Sequence, residues 1–353
     1  MLIATNPYSG EKIDSFPCLS KHDMYARIGE ASAAFADWSD RSFEERAEVL
    51  RAVARQLRAE KHDLAQLMAL EMGKPIREGV PEVEKAAFCA EFYADNAEKF
   101  LTRDTIESDA SLSYVCYQPL GTLLGILPWN APLWLAFRYL APALMAGNTC
   151  VMKHDPHVPQ TAQAIANAFV KAGAPENIMV NLPLETPEVE LAIRDPRIMA
   201  VSFTGSGGAG RKVAEIAGSE IKPCVLELGG SDPSIILADA ALETAADVVT
   251  LSRIINAGQS CIAAKRIIVE AEIYDHFVEL LLNRLKKLQM GDPLQPSTDI
   301  GPIARKDLQL NLHRQVEDTV AAGAKCLLGG ELPDTYGFFY PVTLLTEVTP
   351  TMC

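Results

Sequence analysis

The chain has 353 residues, 48% of them hydrophobic, with 46 acidic side chains against 32 basic ones and a formal net charge of −14. An acidic surface offers little to phosphate, which argues against a nucleic-acid partner. The length exceeds what one hydrophobic core usually serves, so two domains are expected.

Ser42, with Glu45 in position for a capping box, opens a predicted helix that runs to Met72. Val49, Val53, Leu57, Leu64, Leu67 and Met68 recur along it at helical spacing, and Gly73-Lys-Pro75 ends it. A second helix is predicted over Pro81–Phe100. Asp109–Gln118 alternates and reads as a strand or projecting arm. From Gly121 onward short apolar runs alternate with helical segments. The predicted strands are Thr122–Leu127, Thr149–Met152, Ile178–Leu182, Met199–Phe203, Val225–Leu228, Ser234–Leu237 and Arg266–Val269. Helices fall between them at Trp134–Met145, Gln160–Ala172, Gly208–Ala217 and Leu242–Ile255. This alternation predicts an α/β fold with a largely parallel sheet covered by helices. Two further amphipathic helices are predicted over Tyr274–Gln289 and Arg305–Ala322. No apolar run reaches membrane-spanning length. Leu120 to Ala146 comes nearest, interrupted by Pro128, Asn130, Pro132, Arg138 and Pro142. No secretory signal is read in the opening Met-Leu-Ile-Ala-Thr-Asn-Pro.

Eight cysteines, none in a Cys-x-x-Cys pair, argue for a reducing, cytoplasmic setting and against a disulfide framework or zinc site. His154 and His157, with a proline between them, make a poor metal site without a third ligand, so no metal is expected. Cys261 stands apart, in Asn256-Ala-Gly-Gln-Ser-Cys-Ile-Ala-Ala-Lys-Arg266. Upstream lies Leu226-Glu-Leu-Gly-Gly-Ser-Asp-Pro233, with the carboxylate of Glu227 in a Gly-Gly context. A thiol nucleophile and a carboxylate base can together form and hydrolyse a thioester. Taken alone, Cys261 would more often be a small buried hydrophobe. Gly205-Ser-Gly-Gly-Ala-Gly210 matches G-x-G-x-x-G between a predicted strand and helix, the setting of a phosphate-cradling turn. Glu227 then sits about where a ribose-binding acid would fall.

Pro128-Trp-Asn130, Lys153, Phe203-Thr-Gly-Ser206, Glu227-Leu-Gly-Gly and Gly258-Gln-Ser-Cys261 occur together in one order. In this the chain resembles the aldehyde dehydrogenase superfamily, from the opening Asn6-Pro-Tyr-Ser-Gly-Glu11 to its last residue. The resemblance is nearest to the bacterial succinate-semialdehyde dehydrogenases, which share Glu-Leu-Gly-Gly-Ser-Asp-Pro and the Ala-Ala-Lys-Arg after the cysteine.

It implies a Rossmann-like NAD(P)-binding domain over residues 1–226 and an α/β catalytic domain over 227–353. It further implies a small aldehyde as substrate, and a homo-oligomer with residues 109–119 as the oligomerisation arm. Cys261 becomes the nucleophile and Asn130 an oxyanion donor. Glu227 becomes the general base that releases the acid, in place of the ribose assignment. Such a base disfavours acyl transfer to coenzyme A.

The resemblance places Trp129, Lys153, Pro156, Gly205, Ser206, Gly210 and Leu228 at the cofactor. Arg138 lies where related enzymes meet the substrate carboxylate, which suits a planar guanidinium; a surface ion pair is the alternative. Pro156 replaces a glutamate common in NAD-strict members, which leaves NAD or NADP as cofactor. Gly207 replaces a frequent threonine, and Ala131 an aromatic residue. Family members continue past Thr349-Pro-Thr-Met-Cys353, so a C-terminally truncated catalytic domain is expected. The alternatives are an inactive nucleotide-binding remnant, or the same mechanism on another semialdehyde or aliphatic aldehyde.

Overall fold

The structure, a computed structural model, describes residues 1–352. It divides into two compact units that are not contiguous in sequence. One comprises Met1–Ala4, Asp14–Leu64 and Val80–Leu228; the other joins Thr5–Ile13 and Ala65–Gly79 to the segment from Gly229 onward.

The first unit is built on a five-stranded parallel sheet. In spatial order its strands are Met179–Asn181, Thr149–His154, Thr122–Leu127, Ile198–Gly205 and Cys224–Leu228. Chain order therefore runs outward in one direction from Thr122–Leu127 and then restarts beside it with Ile198–Gly205. That reversal is a topological switch point, and the crevice beyond the C-terminal ends of those two strands is the usual ligand site of such sheets. Every residue of Thr149–His154 is buried, as expected for an inner strand covered on both faces.

Met24, Ile28 and Ala31 of the helix Lys21–Asp40 pack with Val213, Ile216 and Ala217 of the helix Gly207–Ser219 over Leu124, Val151 and Val201. The helix Pro132–Met145 sits against the strands Thr122–Leu127 and Thr149–His154. Phe137 on it stacks on Phe169 of the helix Pro159–Lys171, with centroids 6.1 Å apart. Its C-terminus is tied by side chains: Trp38 Nε1 donates to Leu144 O at 3.1 Å, and buried Arg46 donates to Met145 O at 3.1 Å. Met145 O lies in the last turn, where helix carbonyls lack intrahelical partners, while Leu144 O also accepts the Gly147 N–H at 2.9 Å.

The second unit contains a βαβ element: the parallel pair Pro233–Ile236 and Arg266–Val269, with the helix Leu242–Ile254 between them. Ile236, Ala246, Val249, Phe277, Leu281 and Leu285 form its core, the last three from the helix Tyr274–Leu285. An antiparallel pair, Lys325–Leu328 with Leu344–Thr346, follows the helix Lys306–Ala321.

The α/β class and all seven predicted strands are present, with ends shifted by a few residues at most. The helical expectations differ more, and the helix expected over Tyr274–Gln289 ends at Leu285. The long helix Ser42–Met72 is two helices, Phe43–Ala59 and Lys61–Met72. Glu60 turns out of the helical region between them (φ −105°, ψ 15°), and its carboxylate is bound by Lys171. The helix expected from Pro81 begins at Ile76, where Pro75 O accepts the N–H groups of Glu78 and Gly79. The helix Lys21–Asp40, capped by Ser20, was not expected at all. Asp109–Gln118 contributes only Tyr114–Val115, an exposed two-residue ladder with Asp104–Thr105. Among the described residues no helix is long and apolar enough to cross a membrane.

Candidate active site

At the C-terminal end of Thr122–Leu127 the chain leaves the sheet through Pro128 and half-buried Trp129 and Asn130, then enters the helix Pro132–Met145. Pro132 suits the first helical position, having no N–H to leave unpaired. Ala131 offers no side-chain cap. The cap comes from elsewhere: Oε1 of buried Glu82 accepts the N–H groups of Leu133 (3.0 Å) and Trp134 (3.2 Å). Lys85, one turn along the same helix, places its ammonium 4.0 Å from the centre of the Trp134 ring. A turn further, Cys89 Sγ donates to Phe137 O at 3.6 Å, and burial pushes this thiol up to about 11. One helix face thus fixes the backbone that follows Asn130.

Tyr139 holds the same helix to the sheet. Its hydroxyl donates to Leu123 O at 2.7 Å, and its ring lies where a β-carbon on Gly125 would come within 2.4 Å.

At the end of Ile198–Gly205, Ser206 is the N-cap of the helix Gly207–Ser219, and its Oγ accepts the Ala209 N–H at 3.3 Å. A β-carbon on Gly205 would lie 2.6 Å from Phe203, and one on Gly210 2.5 Å from Leu228 Cδ2. Gly210 and Leu228 are thereby in contact, one from the helix and one from the neighbouring strand. Gly207 and Gly208 face open space, with nothing within 4 Å of a built β-carbon. The result is an uncovered helix N-terminus at the switch point, the electrostatic setting of a phosphate.

Lys153 is buried near the end of Thr149–His154, and burial lowers its ammonium pKa while Asp155 opposes the shift. His154 is buried beside it. The Asp155 N–H donates to its Nδ1 (2.9 Å), so Nε2 carries the proton and donates to Pro132 O (3.1 Å). Burial pushes this imidazole down to about 4. His157 Nδ1 pairs with Asp155 Oδ1 at 2.7 Å; burial pushes the Asp155 carboxyl up, but the His157 contacts outweigh it and leave it below its usual range. Half-buried Pro156 sits between them.

Glu227 is on the edge strand Cys224–Leu228, in register with Thr204. Its Oε1 lies 3.4 Å from Arg138 Nη2, with side-chain exposures of 50% and 43%. The structure thus brings together two residues that sequence reasoning had given separate roles.

Cys261 lies in the second unit, in the connection between the helix Leu242–Ile254 and the strand Arg266–Val269, and is exposed. Three consecutive left-handed residues precede it: Asn256 (φ 55°), Ala257 (φ 53°) and Gly258 (φ 76°). Such backbone costs a non-glycine residue about 1–2 kcal/mol and is found where surrounding structure enforces it. Here the enforcing contacts are Glu78 Oε2, which accepts the Asn256 N–H at 2.7 Å, and Arg253, which donates to Gly258 O at 3.1 Å. Lys265 Nζ donates to Cys261 O at 2.8 Å. Burial lowers the pKa of the Arg253 guanidinium beside the turn, while Lys265 is exposed to solvent.

Sequence comparison matches residues 2–353 to the aldehyde dehydrogenase family. The chain belongs to that family. It is 44% identical over 356 residues to "Succinate-semialdehyde dehydrogenase [NADP(+)] 1" of Mycobacterium tuberculosis, covering 100% of this chain and 78% of that one. It is 44% identical over 351 residues to the probable succinate-semialdehyde dehydrogenase [NADP(+)] of Synechocystis, covering 99% and 77%. Among solved structures, succinic semialdehyde dehydrogenase from Streptococcus pyogenes, in complex with NADP+ as the cofactor, superposes with a TM-score of 0.96. It is 33% identical and matches 99% of this chain and 77% of that one.

Within this aldehyde dehydrogenase, sequence motifs did not reveal Glu82, Lys85, Tyr139 or Arg253. The only signal for the first two was helical spacing among Glu82, Lys85 and Cys89, which marks one helix face without naming what it meets.

Proposed function

We propose that this chain oxidises succinate semialdehyde to succinate with NADP, through a thiohemiacetal and then a thioester on Cys261. The observation that carries the substrate choice is the Arg138–Glu227 contact, which sets a guanidinium able to receive a carboxylate beside the intended base. Relatives named succinate-semialdehyde dehydrogenase support the same reading.

Cys261 attacks the aldehyde carbon as thiolate. Asn130 donates its side-chain amide to the oxyanion, where a preorganised donor is worth about 3–4 kcal/mol. A nicotinamide supplies the hydride acceptor for the oxidation. Glu227 then takes a proton from water as the water oxygen bonds to the acyl carbon, and the C–S bond breaks to return the thiolate.

The residues present fit such a cofactor. The open helix N-terminus at Gly207 and Gly208 suits a phosphate, with Gly205, Ser206 and Gly210 shaping the turn, and Lys153 supplies a buried cation. Trp129 and Leu228 flank the switch point. Pro156 takes the place of a carboxylate that would repel a 2′-phosphate, and the neighbouring Asp155 carboxylate is engaged by His157, which favours NADP over NAD. Residues 1–226 would hold the cofactor and 227–353 supply catalysis.

The test is reduced-nicotinamide formation by the purified chain with succinate semialdehyde and either NADP or NAD, with Cys261→Ala as control. Turnover by wild type, absent in the variant and faster with NADP, is expected. A folded wild type with no turnover, or a Cys261→Ala variant as active as wild type, would overturn the reading.

A further inference from the structure

We propose that Arg138 and Glu227 form a substrate-sensitive gate: the guanidinium holds the base carboxylate until a carboxylate at the far end of the acyl group takes its place. This rests on the roles given to both residues above. It adds a selectivity exercised during hydrolysis, beyond any selectivity in binding.

The pair is built to exchange. Its contact uses one guanidinium nitrogen at 3.4 Å, near the limit for a hydrogen bond, and both side chains are about half exposed. An ion pair of that kind biases an equilibrium by no more than about fivefold. A substrate carboxylate can instead meet the guanidinium fork with two parallel N–H···O bonds, the stronger arrangement.

The backbones on either side are fixed. Tyr139, next to Arg138, is locked against Gly125 and bonded to Leu123 O, while Glu227 is held in the sheet opposite Thr204. Only the two side chains need to move. Once released, Glu227 accepts a proton from water as the water oxygen bonds to the acyl carbon and the C–S bond to Cys261 breaks. A neutral acyl group of equal length offers nothing to displace Glu227, so its thioester is hydrolysed by the minor, unpaired population of the base.

The experiment acylates the full chain directly with 4-nitrophenyl butanoate or mono-4-nitrophenyl succinate, two acyl groups of equal length, one neutral and one charged. The nitrophenolate burst reports acylation, and the slower linear phase reports deacylation. At low ionic strength the succinyl enzyme should deacylate several-fold faster than the butanoyl enzyme. Arg138→Gln should raise butanoyl deacylation about two- to fivefold and lower succinyl deacylation towards the same value. Added salt should reproduce the butanoyl rise in wild type and leave Arg138→Gln unchanged, because an exposed pair is screened.

Butanoyl deacylation that is unchanged or slower in Arg138→Gln overturns the gate. If the KM for succinate semialdehyde still rises in that variant, the carboxylate contact stands and the gate alone has failed. If Glu227→Gln deacylates like wild type, the base role has failed and the gate falls with it.

Discussion

Replacing Glu82 with alanine removes the cap of the helix that follows Asn130. Glu82 is only 7% exposed, and its Oε1 accepts two backbone N–H groups, from Leu133 and Trp134. Ala131 provides no substitute cap. A buried donor left unpaired costs about 1–3 kcal/mol, and losing an N-cap about 0.5–2 kcal/mol. Water can reach half-buried Trp134 more readily than buried Leu133, so the two penalties should not add in full. The expected loss is about 2–4 kcal/mol. Glu82→Gln keeps a carbonyl acceptor without the charge and should lose about 1 kcal/mol. The chain's three tryptophans, Trp38, Trp129 and Trp134, all lie in the first unit, so their fluorescence reports its unfolding. For a unit of this size the loss corresponds to a midpoint lowered by about 4–16 °C. A Glu82→Ala variant melting with wild type would refute the idea that this carboxylate fixes the start of the helix.

Gly125→Ala places a methyl 2.4–2.9 Å from three atoms of the Tyr139 ring, and overpacking of that kind should destabilise the first unit by about 1–3 kcal/mol in the same fluorescence assay. The pH dependence of stability should carry a signature of His154. Its folded pKa, about 4, lies below the ordinary 6.5, so the unfolded chain takes up a proton that the folded chain refuses. Stability from this site is therefore complete above pH 6.5 and falls as pH drops from 6.5 towards 4. At about pH 5 the loss relative to about pH 7.5 should be about 2 kcal/mol. His154→Gln should show a shallower loss over that range; an equally steep one would contradict the assignment.

Much of this was readable in the sequence because the inner strands are apolar runs bounded by Gly, Pro or Asn. Thr122–Leu127, set between Gly121 and Pro128, was placed to the residue, and the outlying strand Arg266–Val269 was placed as well from its Ile267-Ile-Val run. Elements failed where the signal is tertiary. The break at Glu60 has no Gly or Pro to announce it, and the Lys171 that meets its carboxylate lies more than a hundred positions along the chain. The helix Lys21–Asp40 is rich in small and polar residues, and its core-facing Met24, Ile28 and Ala31 become a stripe only once the sheet beneath them is known. Motifs named Cys261, Glu227 and Asn130, since each carries its chemistry in its own side chain. Glu82 and Tyr139, which hold the helix that follows Asn130, act through long-range contacts that no local motif encodes. Arg138 was read as either a substrate contact or an ion pair. The structure supplies an ion-pair partner, and that partner is Glu227 itself.

In the proposed reaction Cys261 carries an acyl thioester which Glu227 hydrolyses. Its most direct test is the intact and peptide-level mass of Glu227→Gln after incubation with succinate semialdehyde and NADP. A succinyl group should accumulate on the peptide containing Cys261 in the variant, and wild type under the same conditions should carry little of it. An unmodified Cys261 in a folded variant that still reduces NADP would contradict it.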